Sequence, residues 1–314
     1  MFPLSLFSGG IMIELQHVSK QYGNLHAVED LSLVAHNGEI FGLLGPNGAG
    51  KTTTIRMIMN IIAPDLGKIL IDGTQITDSI KVNIGYLPEE RGLYKKSKVY
   101  DMLMYLGRLK GKKDNELTSA IDLWLDQFSL LEWKNRKVEE LSKGMAQKVQ
   151  FISCVIHDPK ILFLDEPFSG LDPVSSDFMR ETIVTLSNSG TTILFSTHIM
   201  EQAEKICNRI LLMNKGKSVI YGKLDEIKEK LGHKSVIVEF SGDGSFIERL
   251  PQVEHLIRYP KYVEITLKEN SDTDSLLTQL VSKISIRKFE IVSPSLHNIF
   301  ISQVKEGGDE YETK

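Results

Sequence analysis

The stretch that most constrains this chain is the octapeptide Gly45-Pro46-Asn47-Gly48-Ala49-Gly50-Lys51-Thr52, which matches G-x-x-x-x-G-K-[ST] throughout. Before it stands Glu39-Ile40-Phe41-Gly42-Leu43-Leu44, an apolar run of the kind buried on both faces of a sheet. After it, Ile55, Ile58, Met59 and Ile62 recur at helical spacing. The order is strand, glycine loop, helix. Glycines let backbone N–H groups converge on a phosphate without a Cβ in the way. The helix that follows points its positive end at the same anion. Lys51 would bridge terminal phosphates, and Thr52 would offer a hydroxyl to Mg²⁺. Pro46, Asn47, Gly48 and Ala49 in the loop, and Thr53 just after it, complete the candidate cradle.

A second apolar strand, Ile161-Leu162-Phe163-Leu164, ends in Asp165-Glu166. Asp165 would hold Mg²⁺, through water. Glu166, one residue on, suits a general base that polarises an attacking water.

The rest of the chain supplies a frame for these motifs. Residues 12 to 44 read as strands, with Ile13, Leu15 and His17 alternating and a second extended run over residues 27–35. Short strands are predicted around Asp72-Gly73, over residues 65 to 90. From about 90 to 159 the pattern becomes helical. Leu103, Leu106 and Leu109 share one face, as do Ile121, Trp124, Leu125 and Phe128. The strands at 161–164 and 191–195, with a helix between them, give the βαβ rhythm of a parallel sheet covered by helices. Beyond residue 217 the character changes again. Val236, Val238 and Phe240 alternate, as do Val263, Ile265 and Leu267, and Leu276, Leu277, Leu280, Val281 and Ile284 form a helical stripe. The predicted organisation is a disordered leader over 1–11, an α/β domain over 12–217, a small α+β domain over 218–305 and a disordered tail over 306–314.

Composition removes several classes of function. The chain has 314 residues, enough for about two domains at roughly 150 residues each. With 37 Lys and Arg against 41 Asp and Glu, the net charge of −4 argues against a surface devoted to nucleic acid. Cys154 and Cys207 form no C-x-x-C pair, so zinc is not expected; two small buried thiols in helical contexts, in a reducing interior, are. No run approaches the ~18 apolar residues that span a bilayer. The apolar start has no basic residue before Lys20, so it lacks the lead of a signal peptide.

A phosphate loop alone fits a kinase, a GTPase or a recombinase. Leu141-Ser142-Lys143-Gly144-Met145 decides among them, because it resembles the LSGGQ signature of ATP-binding cassette (ABC) ATPases and precedes the acidic strand by that family's interval. Other marks agree. Tyr22 resembles the aromatic that stacks on adenine, Ser169-Gly170-Leu171-Asp172-Pro173 the D-loop, and Ser196-Thr197-His198 the switch histidine. The resemblance covers about residues 13–217. It implies the P-loop ABC-ATPase fold, with a mixed sheet core, an antiparallel β subdomain and a helical insert. It also implies ATP and Mg²⁺ as cofactors, with His198 contacting the γ-phosphate and the water.

Ser142 and Gly144 would lead a helix whose tip faces ATP held by a second copy, in a head-to-tail dimer. A separate integral-membrane permease would hold the chain at the cytoplasmic face of the cell membrane. Tyr94, Lys95, Lys96 and Lys98 are candidates for that contact, and no nucleic acid is expected. The sequence departs from the family at Lys143, at Met145 and at Glu89, which stands where the Q-loop glutamine is usual. A carboxylate there can ligate Mg²⁺ at least as well as an amide. The stretch from Leu87 to Tyr94 and the signature resemble an export-type branch, of sodium-efflux and drug-resistance kind, with an accessory C-terminal domain. The segment from Ser293 to Phe300 resembles the close of that domain. The alternatives are a soluble ABC-type ATPase acting on ribosomes or DNA, and a nucleotide-sensing scaffold without turnover. A GTPase is a third. Asn214-Lys215-Gly216-Lys217 begins like N-K-x-D, but Lys217 replaces the aspartate that would read guanine.

Overall fold

The computed structural model describes residues 13–90, 92–231, 235–268, 271–292 and 295–306. The predicted leader, and the tail from residue 307, lie outside them. The chain divides into two compact units, Met1–Lys223 and Leu224–Lys314.

The first unit opens with two antiparallel strands, β1 (Ile13–Tyr22) and β2 (Leu25–Ala35). The predicted alternation breaks at its third member. His17 is exposed with φ 50°, the register slips between Leu15 and Val18, and Val18 takes the buried position. This is the effect of a β-bulge, because the side-chain period of a strand is two. Strand β3 (Ile40–Leu44) is buried at every residue and leads through the glycine loop into α1 (Lys51–Ile58). Strand β4 (Leu66–Ile71) pairs with β1 and completes a three-stranded sheet of order β2-β1-β4. The region after it is not all strand, as the sequence reading had it. Asp72 and Gly73 turn with positive φ, and a short helix, α2 (Asp78–Lys81), precedes β5 (Ile84–Leu87).

Three helices follow, α3 (Val99–Leu109), α4 (Asp114–Gln127) and α5 (Lys143–Val155). Phe128 joins them, with its ring 5.6 Å from that of Phe151. Leu103, Ile121 and Leu125 are buried. Leu109, placed on the inner face by the sequence pattern, is exposed, and Gly107 takes the inward position against Leu117. The unit is completed by β6 (Ile161–Asp165), α6 (Pro173–Asn188), β7 (Thr192–Thr197), α7 (Met200–Glu204), β8 (Arg209–Asn214) and β9 (Lys217–Lys223). A six-stranded sheet runs in the order β5-β6-β7-β3-β8-β9, parallel except for β9.

The first unit therefore extends past the predicted boundary at residue 217. Lys215 and Gly216 both have positive φ, so they form the tight two-residue turn that suits a hairpin, and β9 folds back on β8. Helix α1 is part of one core with both sheets. Ile55, Met57 and Ile58 cluster with Ile13, Leu31, Phe41, Leu43, Phe163, Leu194 and Leu211. Each such buried side chain contributes about 1.5–3 kcal/mol relative to exposure. The helix that begins at the glycine loop is thus fixed to the sheet that carries the acidic strand.

The second unit comprises α8 (Leu224–Leu231), β10 (Ser235–Ser241), β11 (Val253–Arg258), β12 (Val263–Leu267), α9 (Thr273–Val281), β13 (Ser285–Val292) and α10 (Leu296–Glu306). Its antiparallel sheet has the order β11-β12-β10-β13. That is the strand order of a split βαβ fold, with the short 3-10 turn Ile247–Arg249 where a first crossover helix would lie. Val236, Val238, Val263, Ile265, Leu267, Leu276, Leu280 and Ile284 form its core. Val281, predicted on the same stripe, is exposed at the end of α9, while Ile284 reaches the core from beyond the helix. Residues 293 and 294 of the predicted closing segment lie outside the described residues.

Candidate active site

The glycine loop is held by its neighbours. Gly50 has φ 105°, and a Cβ there would lie 2.3 Å from the carbonyl oxygen of Ala27, so only glycine fits. The Ala49 carbonyl accepts the Gly216 N–H at 3.1 Å, which ties the loop to the β8–β9 turn. Asn214 and Lys217 pair across that turn, so the segment that began like a guanine-reading motif is a structural hairpin. Lys51 is buried and donates from Nζ to the carbonyls of Gly45 and Pro46, at 2.8 and 3.1 Å. Burial lowers its pKa, while the carboxylates of Glu166, Asp165 and Glu89 act in the opposite direction. The lysine therefore senses all three acids.

Asp165 and Ser196 pair across the parallel strands β6 and β7. The Asp165 carboxylate is fully buried. It accepts the Thr52 hydroxyl at 2.8 Å on Oδ2 and the Ser196 hydroxyl on Oδ1. Glu166 leaves the strand in a left-handed conformation, φ 51°, with its N–H donated to the Ser196 carbonyl at 3.1 Å. This turn aims its carboxylate at the end of β7. There Oε1 accepts the His198 backbone N–H at 2.9 Å and lies 2.7 Å from His198 Nδ1. Thr197 Oγ1 is 3.4 Å from Oε2 and 3.0 Å from Gln202 Oε1. An acid bound to a half-exposed imidazole can hold and pass a proton at a defined place.

Glu89 is exposed, just beyond β5. The backbone on either side of it is held by Gln150 Nε2, 3.5 Å from the Pro88 carbonyl and 3.4 Å from the Glu90 carbonyl. Ser142 caps α5 by accepting the Met145 N–H at 3.2 Å. Among the described residues, no hydrogen bond joins Ser142, Gly144 or Tyr22 to the glycine loop. Tyr22 is exposed, with Lys20 Nζ 5.6 Å from its ring centre.

The sequence reading gave Ser196 and Gln150 no role. Ser196 could have been found from its place beside the switch histidine. Gln150 has no local signal beyond an amide where helical spacing asks for an apolar residue. Both cysteines are free and buried, and burial pushes the Cys154 thiol up to about 12. Cys154 lies in α5, but Cys207 lies between α7 and β8 rather than in a helix.

No group of three or more His, Cys, Asp or Glu among the described residues is arranged to hold a metal. Glu89, Asp165 and Glu166 therefore do not form a closed carboxylate cage. What the loop presents is oxygen only, the Thr52 hydroxyl hydrogen-bonded to the Asp165 carboxylate. That donor set fits a small hard cation such as Mg²⁺, which keeps several waters and shares phosphate oxygens.

The chain is similar to known proteins over both units. Residues 28–169 match the family model described as ABC transporter, and residues 222–304 match the C-terminal domain of ATP-binding proteins like DrrA1-3. The uncharacterized ABC transporter ATP-binding protein YhaQ of Bacillus subtilis is 44% identical over 293 residues, covering 93% of this chain and 98% of that protein. The linearmycin resistance ATP-binding protein LnrL of the same organism is 30% identical over 304 residues, covering 93% and 97%. A solved structure of an ATP-binding subunit of an ABC transporter superposes with a TM-score of 0.65 at 31% identity, over 70% of this chain and 92% of the other. From its loop, its acidic strand, its two domains and these full-length relatives, the chain belongs to the ATP-binding proteins of ABC transporters, a family that hydrolyses ATP.

Proposed function

We propose that this chain is the motor of an exporter, with two copies closing over two MgATP and driving a separate membrane permease. The observation that carries the reading is the joined pair of strand ends, Asp165 with Thr52 on one side and Glu166 with His198 on the other. Lys51 and the loop amides bind the triphosphate and offset charge on the transferred group. Glu166 orients the attacking water, and His198 holds the Glu166 carboxylate in place. Thr52, Asp165 and Glu89 would hold Mg²⁺, which when bound would supply electrostatic stabilisation of the phosphate oxygens. Tyr22 offers a face to the adenine, worth about 1–3 kcal/mol as stacking. Ser142 and Gly144 lead a helix tip toward the nucleotide of the second copy.

No helix among the described residues is long and apolar enough to cross a membrane, so a transporter built on this chain needs another subunit for passage. The exposed rings of Tyr94 and Tyr105 pack edge to face, 5.9 Å between centres, beside Lys95, Lys96 and Lys98. Our reading gives this surface to the permease, and with it the chain a position at the cytoplasmic face of the membrane. Export is inferred from a relative named Nod factor export ATP-binding protein I, of Rhizobium etli, 36% identical over 242 residues, and a linearmycin resistance relative is in keeping with it.

The test is purification of the tagged Glu166→Gln chain from native membranes with ATP and Mg²⁺. An integral-membrane protein should copurify in stoichiometric amount, and light scattering should show a nucleotide-dependent dimer. Single protomers under the same conditions, with or without the copurified membrane protein, would overturn the dimer. Copurification with ribosomes in its place would favour the soluble alternative.

A further inference from the structure

Strand β5 is the rim of the six-stranded sheet. Its Asn83 side faces β6, where the Asn83 carbonyl accepts the Lys160 N–H at 2.9 Å, so the carbonyls of Ile84, Tyr86 and Pro88 point away from the sheet. Along these strands such acceptors would ordinarily meet water or another strand. Here side chains of the helical insert meet them. Gln150, Cys154 and His157 follow one another at intervals of four and three, on one face of α5 and just past its end. His157 Nε2 donates to Ile84 at 3.2 Å, Cys154 Sγ to Tyr86 at 3.0 Å, and Gln150 Nε2 lies 3.5 Å from the Pro88 oxygen. Lys110 adds a bond to Ile84 at 2.8 Å. Gly85 permits the approach, since a Cβ there would stand 2.2 Å from the Cys154 carbonyl oxygen.

Gln150 differs from the other members of this row. Its amide also reaches past the strand to the Glu90 carbonyl, at 3.4 Å, and so straddles Glu89. It is 3% exposed, and its Oε1 has no hydrogen-bond partner. A buried amide left half answered is costly, and an apolar residue there would avoid the cost. What the amide provides is a fixed path for the backbone that carries Glu89. The same helix begins at the signature, with Ser142 as its cap.

We propose that Gln150 is a positioning residue, an amide clamp by which the signature helix sets where the Glu89 carboxylate stands relative to the phosphate loop. The inference rests on the reading of Glu89 as a metal-side acid. Electrostatics gives Glu89 a reason to be placed, because Lys51 senses its charge. A loosened loop would spread that charge over many positions and weaken its pull on a divalent cation, while leaving metal-free nucleotide binding intact.

The experiment uses the full chain and four forms: unsubstituted, Gln150→Met, Glu89→Ala and the double variant. Steady-state phosphate release is titrated with Mg²⁺ at saturating ATP. Mn²⁺ binding is followed by EPR on protein saturated with a non-hydrolysable ATP analogue. A fluorescent ATP analogue in EDTA reports metal-free binding. Gln150→Met should raise the half-saturating metal concentration about 3- to 10-fold in both metal titrations, with EDTA binding unchanged. In the Glu89→Ala background it should add nothing. An equal shift with and without Glu89, or no shift from Gln150→Met while Glu89→Ala shifts the metal, overturns the clamp alone. No shift from Glu89→Ala overturns the metal-side reading of Glu89 and the clamp with it. Should Gln150→Met fold poorly, Gln150→Leu enters the same cycle in its place.

Discussion

The backbone N–H and the ring Nδ1 of His198 converge on one oxygen of Glu166, at 2.9 and 2.7 Å. With Nδ1–H donated to the carboxylate, Nε2 is free of that bond and is the ring nitrogen that the proposed mechanism turns to the nucleotide. In the proposed mechanism the base would therefore be held by the residue that also contacts the reaction centre. Glu166→Gln is expected to lower kcat by about 100-fold or more with ATP affinity kept, and His198→Ala by about 10- to 100-fold. Phosphate release and equilibrium ATP binding, measured side by side, check both. Full turnover by Glu166→Gln would remove Glu166 from the base role.

Glu89 stands where an amide is usual in the family. Its charge bears on Lys51 without joining a carboxylate cluster. Glu89→Gln should keep kcat within about tenfold, because a carboxamide oxygen still offers a ligand for Mg²⁺. The Mg²⁺ needed for half-maximal rate should rise several-fold as the charge is lost. An inactive Glu89→Gln protein that still binds ATP normally would contradict this.

Gly85 lies where α5 rests on β5. A methyl group there meets a main-chain oxygen at 2.2 Å, which no rotamer change relieves. Gly85→Ala is expected to destabilise the chain by ~2–3 kcal/mol, as overpacking does. Chemical denaturation followed by tryptophan fluorescence measures it, and an unchanged midpoint would refute the close approach.

His157 gives the fold an acid sensitivity. Burial, with a smaller contribution from Lys110, pushes its pKa down from 6.5 to about 4, against the bond to Ile84 and the charge of Asp158. The unfolded chain therefore binds the proton more readily than the folded one between these values. Stability should fall as pH drops from about 6.5 to about 4, by about 2–3 kcal/mol from this group. Above 6.5 it should contribute no slope. His157→Gln, which can still donate to the Ile84 carbonyl, should flatten that part of the stability profile. An equal slope in both proteins would assign the acid response elsewhere.

What could be read in the sequence was local. The glycine loop requires particular residue types at consecutive positions, and the acidic strand end does too. Both therefore announce themselves in a single pass. The βαβ rhythm followed from apolar runs for the same reason. The bulge at His17 was hidden, because alternation alone does not say which residue slips. The turn at Lys215 and Gly216 was read only for its likeness to a base-recognition motif, and the boundary beyond it was set too early. Gln150 and the Glu90 carbonyl it reaches are 60 residues apart, so nothing in either neighbourhood signals the other.

The row of donors along β5 has one more consequence. A sheet that ends in bare acceptors invites an extra strand from any unfolded neighbour, which is how ordered aggregates begin. Here the invitation is withdrawn, because an approaching chain finds the rim already occupied by an amide, a thiol, an imidazole and an ammonium. The helical insert thus also acts as a stopper that keeps the sheet from growing.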